Sequence, residues 1–127
     1  MTIAYWTVLV AILMPLLLAL IKKRQLVNRG QYSNSAPRMG SPEPRSLSER
    51  AHWAEQNSFE ILPGYIGAVI VAHLAGADQH PIDILALVFI LSRILYCLCY
   101  LKNWSSLRSM IWFVGLLCIV GLFLIAV

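Results

Sequence analysis

Residues 46–65 read SLSERAHWAEQNSFEILPGY and run straight into IGAVIVAHLAGA at 66–77. The first half carries Glu49, Arg50, His52, Glu55, Asn57 and Glu60, whereas the second is apolar enough to sit in lipid. Ser46 and Glu49 have the S-x-x-E spacing of a capping box, which starts a helix near Leu47. Continued to Ala77, that helix is about 30 residues, roughly 45 Å at helical rise. It is longer than the hydrocarbon core of a bilayer, so its first turns stand in the headgroup zone or project beyond it.

Outward from this segment the chain is mostly apolar. Of its 127 residues 59% are hydrophobic and 13% charged, half the charge of an ordinary soluble domain. Besides Ile61–Ala77, the apolar runs are Ile3–Ile21, Ile82–Leu101 and Met110–Val127, each near the ~20 residues a spanning helix needs. The sequence therefore predicts one all-α domain over 1–127, an integral membrane four-helix bundle of up-down topology. Its spans are 3–21, 47–77 with a cytoplasmic extension, 82–101 and 107–127, and its first loop is 22–46. The first run is no signal peptide, because the positive charge (Lys22, Lys23, Arg24) follows the apolar stretch instead of preceding it.

Lys and Arg sit in the first and third connections, while GADQHP at 75–80 has none. This places loops one and three in the cytoplasm and both termini outside. The net charge of +4 belongs to that asymmetry and gives no argument for nucleic acid. Residues 29–45, RGQYSNSAPRMGSPEPR, have the Ser, Pro and Gly content of a surface loop. The link KNWSS is short enough to force an antiparallel hairpin, with Ser105 or Ser106 as N-cap of the last helix. Cys97, Cys99 and Cys118 lie in apolar helix and read as small packing residues. The chain has no metal-ligand cluster, phosphate loop or Ser–His–Asp pattern.

Two polar stripes interrupt the apolar pattern. Arg50, Trp53, Asn57, Glu60 and Gly64 share one face of the second helix. Pro63 extends this face by freeing the carbonyl of Phe59. Arg93, Tyr96 and Tyr100 share a face of the third. Ionisable groups at such depth face a bundle interior or a wet cavity, and an Arg93–Glu60 bridge would join the two stripes. Arg108 stands in the first turn of the fourth helix, where the macrodipole disfavours a cation. Positive-inside topology could account for it. The other reading is an anion site, in which the guanidinium, the helix start and the Ser109 hydroxyl hold a carboxylate, phosphate or thiolate.

RAHWAEQNSFEILP (Arg50, Asn57, Glu60, Pro63) resembles the second-helix signature of the MAPEG family, the membrane-associated proteins in eicosanoid and glutathione metabolism. RILYCLCY (Arg93, Tyr96, Tyr100) resembles that family's third-helix pattern, and LRS at 107–109 resembles the arginine motif opening its fourth helix. The resemblance implies a homotrimer binding glutathione near the cytoplasmic side. Arg50, Asn57, Glu60, Arg93, Tyr96, Tyr100 and Ser109 would hold the glutathione, and Arg108 would be catalytic, facing the sulfur. One of Lys22, Lys23 or Arg24 could reach a carboxylate. The implied activity is a glutathione S-transferase, with possible peroxidase activity, acting on a lipophilic electrophile drawn from membrane lipids. The alternative is a non-catalytic lipid-binding or regulatory protein on the same scaffold. A small multidrug transporter is disfavoured, since Ile3–Ile21 contains no acid. The chain looks like a bacterial member, which would place it in the inner membrane.

Overall fold

The computed structural model describes all 127 residues. Four helices form it: α1 (Ile3–Asn28), α2 (Leu47–Leu74), α3 (Gln79–Leu101) and α4 (Ser105–Leu124), with no strand. Each runs antiparallel to the one before. Thr7 meets Tyr65 and Lys22 meets Glu55 across α1–α2, Asn57 meets Arg93 across α2–α3, and Gly115 lies against Ser92 across α3–α4. α2 and α3 touch each other and both remaining helices, while α1 and α4 stand at opposite corners without contact.

Small residues let these helices approach. Ala4, Thr7 and Ala11 of α1 face Ala68, Ala72 and Tyr65 of α2, and all are buried. Apolar side chains gain little by leaving lipid, so close packing and interhelical hydrogen bonds hold such a bundle. At its centre the Tyr65 ring stacks on Phe89 at 3.7 Å, and its hydroxyl shares a 2.5 Å hydrogen bond with Thr7 Oγ1. At Gly115 an added Cβ would lie 3.2 Å from Ser92 Oγ, so glycine permits the close α3–α4 crossing. Asp83 of α3 accepts the Ala4 amide at 2.8 Å, satisfying an orphan donor at the α1 N-terminus.

Leu, Ile, Val and Phe side chains lie exposed along α1, α3 and α4. A soluble monomer does not tolerate so much apolar surface, whereas lipid solvates it. α1, α3 and α4 are long and apolar enough to cross a membrane, whereas α2 is not among them, because its first half carries the polar stripe. The molecule is an all-α integral membrane bundle.

Local chemistry refines several sequence expectations. Ser46 Oγ accepts the Glu49 amide at 3.1 Å, and α2 starts at Leu47 as expected. The capping box is only half formed. Glu49 reaches the Arg45 amide at 2.5 Å, because the Ser46 amide already donates to the Glu43 carbonyl. α1 continues seven residues beyond its apolar run, taking Lys22, Lys23 and Arg24 into helix.

The serine cap expected for α4 does not form: Trp104 holds the N-cap position without a side-chain bond, and Ser105 is already helical. The cause is the end of α3. Asn103 adopts φ 62°, its amide bonds the Tyr100 carbonyl, and the Trp104 amide bonds Cys99 at 2.8 Å. This is a Schellman closure with asparagine in the left-handed position. It turns the chain so tightly that α4 restarts one residue before a serine could cap it. Gly76, at φ 78°, closes α2 in the same way.

Candidate functional site

Arg93 is the most deeply placed cation, with 3% of its surface exposed. Its Nη2 donates to Asn57 Oδ1 at 2.8 Å, and its guanidinium lies 4.2 Å from the Tyr96 ring centre. Nη1 has no partner within the chain. The expected Arg93–Glu60 bridge is absent. Asn57 stands one turn before Glu60 on the same stripe and takes the guanidinium itself, then offers Nδ2 to Glu60 Oε2 at 3.4 Å. The two stripes are joined through an amide, which leaves the Glu60 carboxylate without an ion pair.

From Arg93 a ladder of rings climbs α3 to α4. Tyr96 meets Tyr100 edge to face at 5.4 Å, and the Arg108 guanidinium lies 4.2 Å from the Tyr100 ring centre. A cation over an aromatic face is held by the ring quadrupole, so Tyr100 fixes where Arg108 points. Arg108 makes no ion pair and no side-chain hydrogen bond, and it is half-buried.

Arg108 and Tyr100 line an open groove of about 410 Å³ together with Trp53, Gln56, Asn57 and Glu60. A second hollow beside it adds Tyr96, Ser109 and Trp112 to the same two residues. The structure thus brings together Asn57, Glu60, Tyr96, Tyr100 and Arg108 around one recess at the loop end of the bundle. An unpaired carboxylate and an unpaired guanidinium share its walls. Such a site suits a ligand bearing both an ammonium and an anionic group.

Other residues of the stripes are occupied elsewhere. Arg50 Nε donates to the Leu101 carbonyl at 3.1 Å and Nη1 to the Arg45 carbonyl at 2.8 Å, so Arg50 pins the C-terminus of α3. The Ser109 hydroxyl donates to Ser105 O at 3.2 Å. Lys22 pairs with Glu55 at 2.5 Å, and Lys23 lies over the Tyr32 ring at 4.7 Å. His73 stacks on Tyr5 at 4.4 Å and bonds the Val69 carbonyl at 2.8 Å, far from the recess. The three cysteines are buried and unpaired. Cys97 lies 3.8 Å from Ser58 Oγ inside the bundle.

Among the lining residues, Gln56, Trp112 and Phe113 carried no sequence signal as site residues. Gln56 is one position before Asn57. Trp112 read as an interface aromatic, although its place one turn after Arg108 puts it on the same face.

No curated protein matches the chain. The MAPEG family model matches residues 3–127, essentially all of it. That family includes glutathione transferases and also members that are not enzymes. The chain belongs to the MAPEG family.

Proposed function

We propose that the protein is a membrane-bound glutathione-dependent transferase in which Arg108 stabilises the glutathione thiolate for attack on a lipophilic electrophile. The observation that carries this is the pair of uncompensated charges, Glu60 and Arg108, in one recess with the Asn57 amide between the stripes. Glutathione offers matching groups: an ammonium for Glu60, amides for Asn57 and Gln56, and a sulfur for Arg108. Its carboxylates would find cations at the same end of the bundle. Every Lys and Arg except Arg93 lies in or beside the two connections there, and the positive-inside rule places that end in the cytoplasm.

The chain's own residues would act on the thiol. A free cysteine-type thiol has a pKa near 8.5, lowered by adjacent positive charge. Two units of lowering corresponds to about 2.7 kcal/mol in favour of thiolate. The thiol proton leaves to solvent. The sulfur pair then forms a bond to the electrophilic carbon, and the leaving group departs with its electrons. Reduction of peroxides would draw on the same thiolate. Homotrimer assembly, implied by the sequence resemblance, would enclose the recess between neighbouring copies and leave Glu60 facing the ligand.

Replacing Arg108 tests the assignment. Arg108→Ala should lower kcat/KM for thiol conjugation at least a hundredfold, the usual loss of one charge-stabilising donor of about 3 kcal/mol. Arg108→Lys should recover part of it. Turnover by Arg108→Ala at the wild-type rate would refute the role. Independently, glutathione at 100 times its dissociation constant should stabilise the solubilised protein by about 2.7 kcal/mol. Absence of any shift would favour the lipid-binding alternative.

A further inference from the structure

Arg93 spends its donors unevenly. Nη2 reaches Asn57 beside the recess, and the guanidinium lies against the Tyr96 ring. Nη1 is buried and finds no partner in the chain. No carboxylate pairs with this cation either. Glu60 meets only the Asn57 amide, and the ion pairs Lys22–Glu55, Arg29–Glu43 and His52–Glu55 lie elsewhere. About 12 Å of helix separates Arg93 from the end of α3 at Leu101, so bulk water does not screen it. A buried charge with no counter-charge is among the costliest features a bundle core can hold.

Beside Arg93, between α1, α2 and α3, lies a cavity of about 10 Å³. Ala11 and Met14 of α1, Phe89 of α3 and two apolar side chains of α2 make most of its wall, and Arg93 and Ser58 are its polar residues. The space takes one water-sized body, which excludes phosphate, sulfate and any carboxylate ligand. With Nη2 spent on Asn57, Nη1 is the buried donor left for an occupant. The Ser58 hydroxyl donates to the Ala54 carbonyl at 2.7 Å. That bond is a local one to the preceding helical turn, and the hydroxyl can turn from it toward a charged acceptor.

We propose that this cavity is a halide site, in which one dehydrated chloride accepts from Arg93 Nη1 and the Ser58 hydroxyl and supplies the counter-charge the core lacks. Charge decides between halide and water. A water would gain the same two partners, the fewest that hold a buried water, and would leave the guanidinium uncompensated. Chloride is slightly larger than water, and the unbranched, adaptable Met14 side chain gives the wall its slack. In halide-free buffer Nη1 stays unsatisfied. The site lies behind the recess, since Ser58 follows Asn57 in α2, and it stands or falls independently of the transferase reading.

Thermal unfolding of the solubilised full-length protein tests the proposal, in chloride against gluconate at one ionic strength. Sulfate, too large for the cavity, reports the general effect of salt. At about ten times its dissociation constant, chloride should raise the Tm by about 5 °C over gluconate, and saturably. Arg93→Met removes the charge, whereas Ala11→Val fills the cavity and keeps it. Both should abolish the chloride increment and leave the sulfate response. Should Arg93→Met fail to fold, Ala11→Val decides.

The second test needs no unfolding. Chloride NMR linewidths should show broadening by the wild-type protein that bromide displaces and that is lost in Ala11→Val. A chloride increment equal in wild type and both variants would make it an effect of surface or solvent. An increment lost in Arg93→Met but kept in Ala11→Val would put the anion outside the cavity. Absence of both increment and broadening in the wild type would leave the cavity to water. Each of these results overturns the proposal.

Discussion

Replacing Asn57 with alanine isolates the interaction on which the site's geometry rests. Arg93 is 97% buried by its 3% exposure, and the Asn57 carbonyl is the hydrogen-bond acceptor held against it at 2.8 Å. Its other terminal nitrogen has no partner. Asn57→Ala therefore leaves both ends of a buried cation unsatisfied, a loss of about 3 kcal/mol for a charged donor stripped of its acceptor. In a chain of this size that should lower the Tm by about 10 °C, read by thermal unfolding of the solubilised protein. Glu60→Gln provides the comparison. The Glu60 carboxylate is exposed and meets only the Asn57 amide, at a long 3.4 Å, so this change should cost about 0.5 kcal/mol or less. In an Arg93→Met background Asn57→Ala should become nearly neutral, giving a coupling energy of about 3 kcal/mol. If Glu60→Gln destabilised as much as Asn57→Ala, the guanidinium would be paired with the carboxylate after all, and the amide-linked arrangement would be wrong.

Substitutions at three further positions probe what holds the recess in place. Asn103→Val, which forces a β-branched residue to φ 62°, should cost about 1–3 kcal/mol. Asn103→Gly should be neutral or slightly stabilising, both measured by thermal unfolding. Tyr65→Phe keeps the stack on Phe89 but removes the 2.5 Å bond to Thr7. It should cost about 0.6–1.7 kcal/mol, the range for interhelical hydrogen bonds in bilayers. Gly115→Val should also destabilise, because its Cβ would meet Ser92 Oγ at a tight 3.2 Å. An overpacking loss of about 1–3 kcal/mol should accompany weakened glutathione binding as α4 shifts.

Much of this fold was legible in the sequence because lipid imposes long apolar runs. The Ser46–Glu49 spacing marked the start of α2 to the residue. Charge at the membrane edge was less informative. Lys22, Lys23, Arg24 and Gln25 end an apolar run, yet all are good helix formers, and nothing stops α1 before the Arg29–Gly30 turn. The start of α4 is not legible in its serines, which look like caps, because the chain direction there is set by Asn103 in a left-handed conformation. In the site, periodicity placed Asn57 and Glu60 on one face and Arg93, Tyr96 and Tyr100 on another. Periodicity fixes azimuth and leaves open the relative height of two helices. Which of Asn57 or Glu60 meets Arg93 was therefore decided by packing. Arg50 shows the same gap: it lies on the stripe, but the end of α3 comes close enough for the Leu101 carbonyl to take it.

The measurement closest to the heart of the proposal is a pH titration of thiolate absorbance for glutathione bound to the solubilised protein, wild type against Arg108→Ala. The bound thiol should ionise at least one unit below the free value of about 8.5. That advantage, about 1.4 kcal/mol per unit, should vanish when the guanidinium is removed. Identical titrations in the two proteins would mean that Arg108 does not face the sulfur.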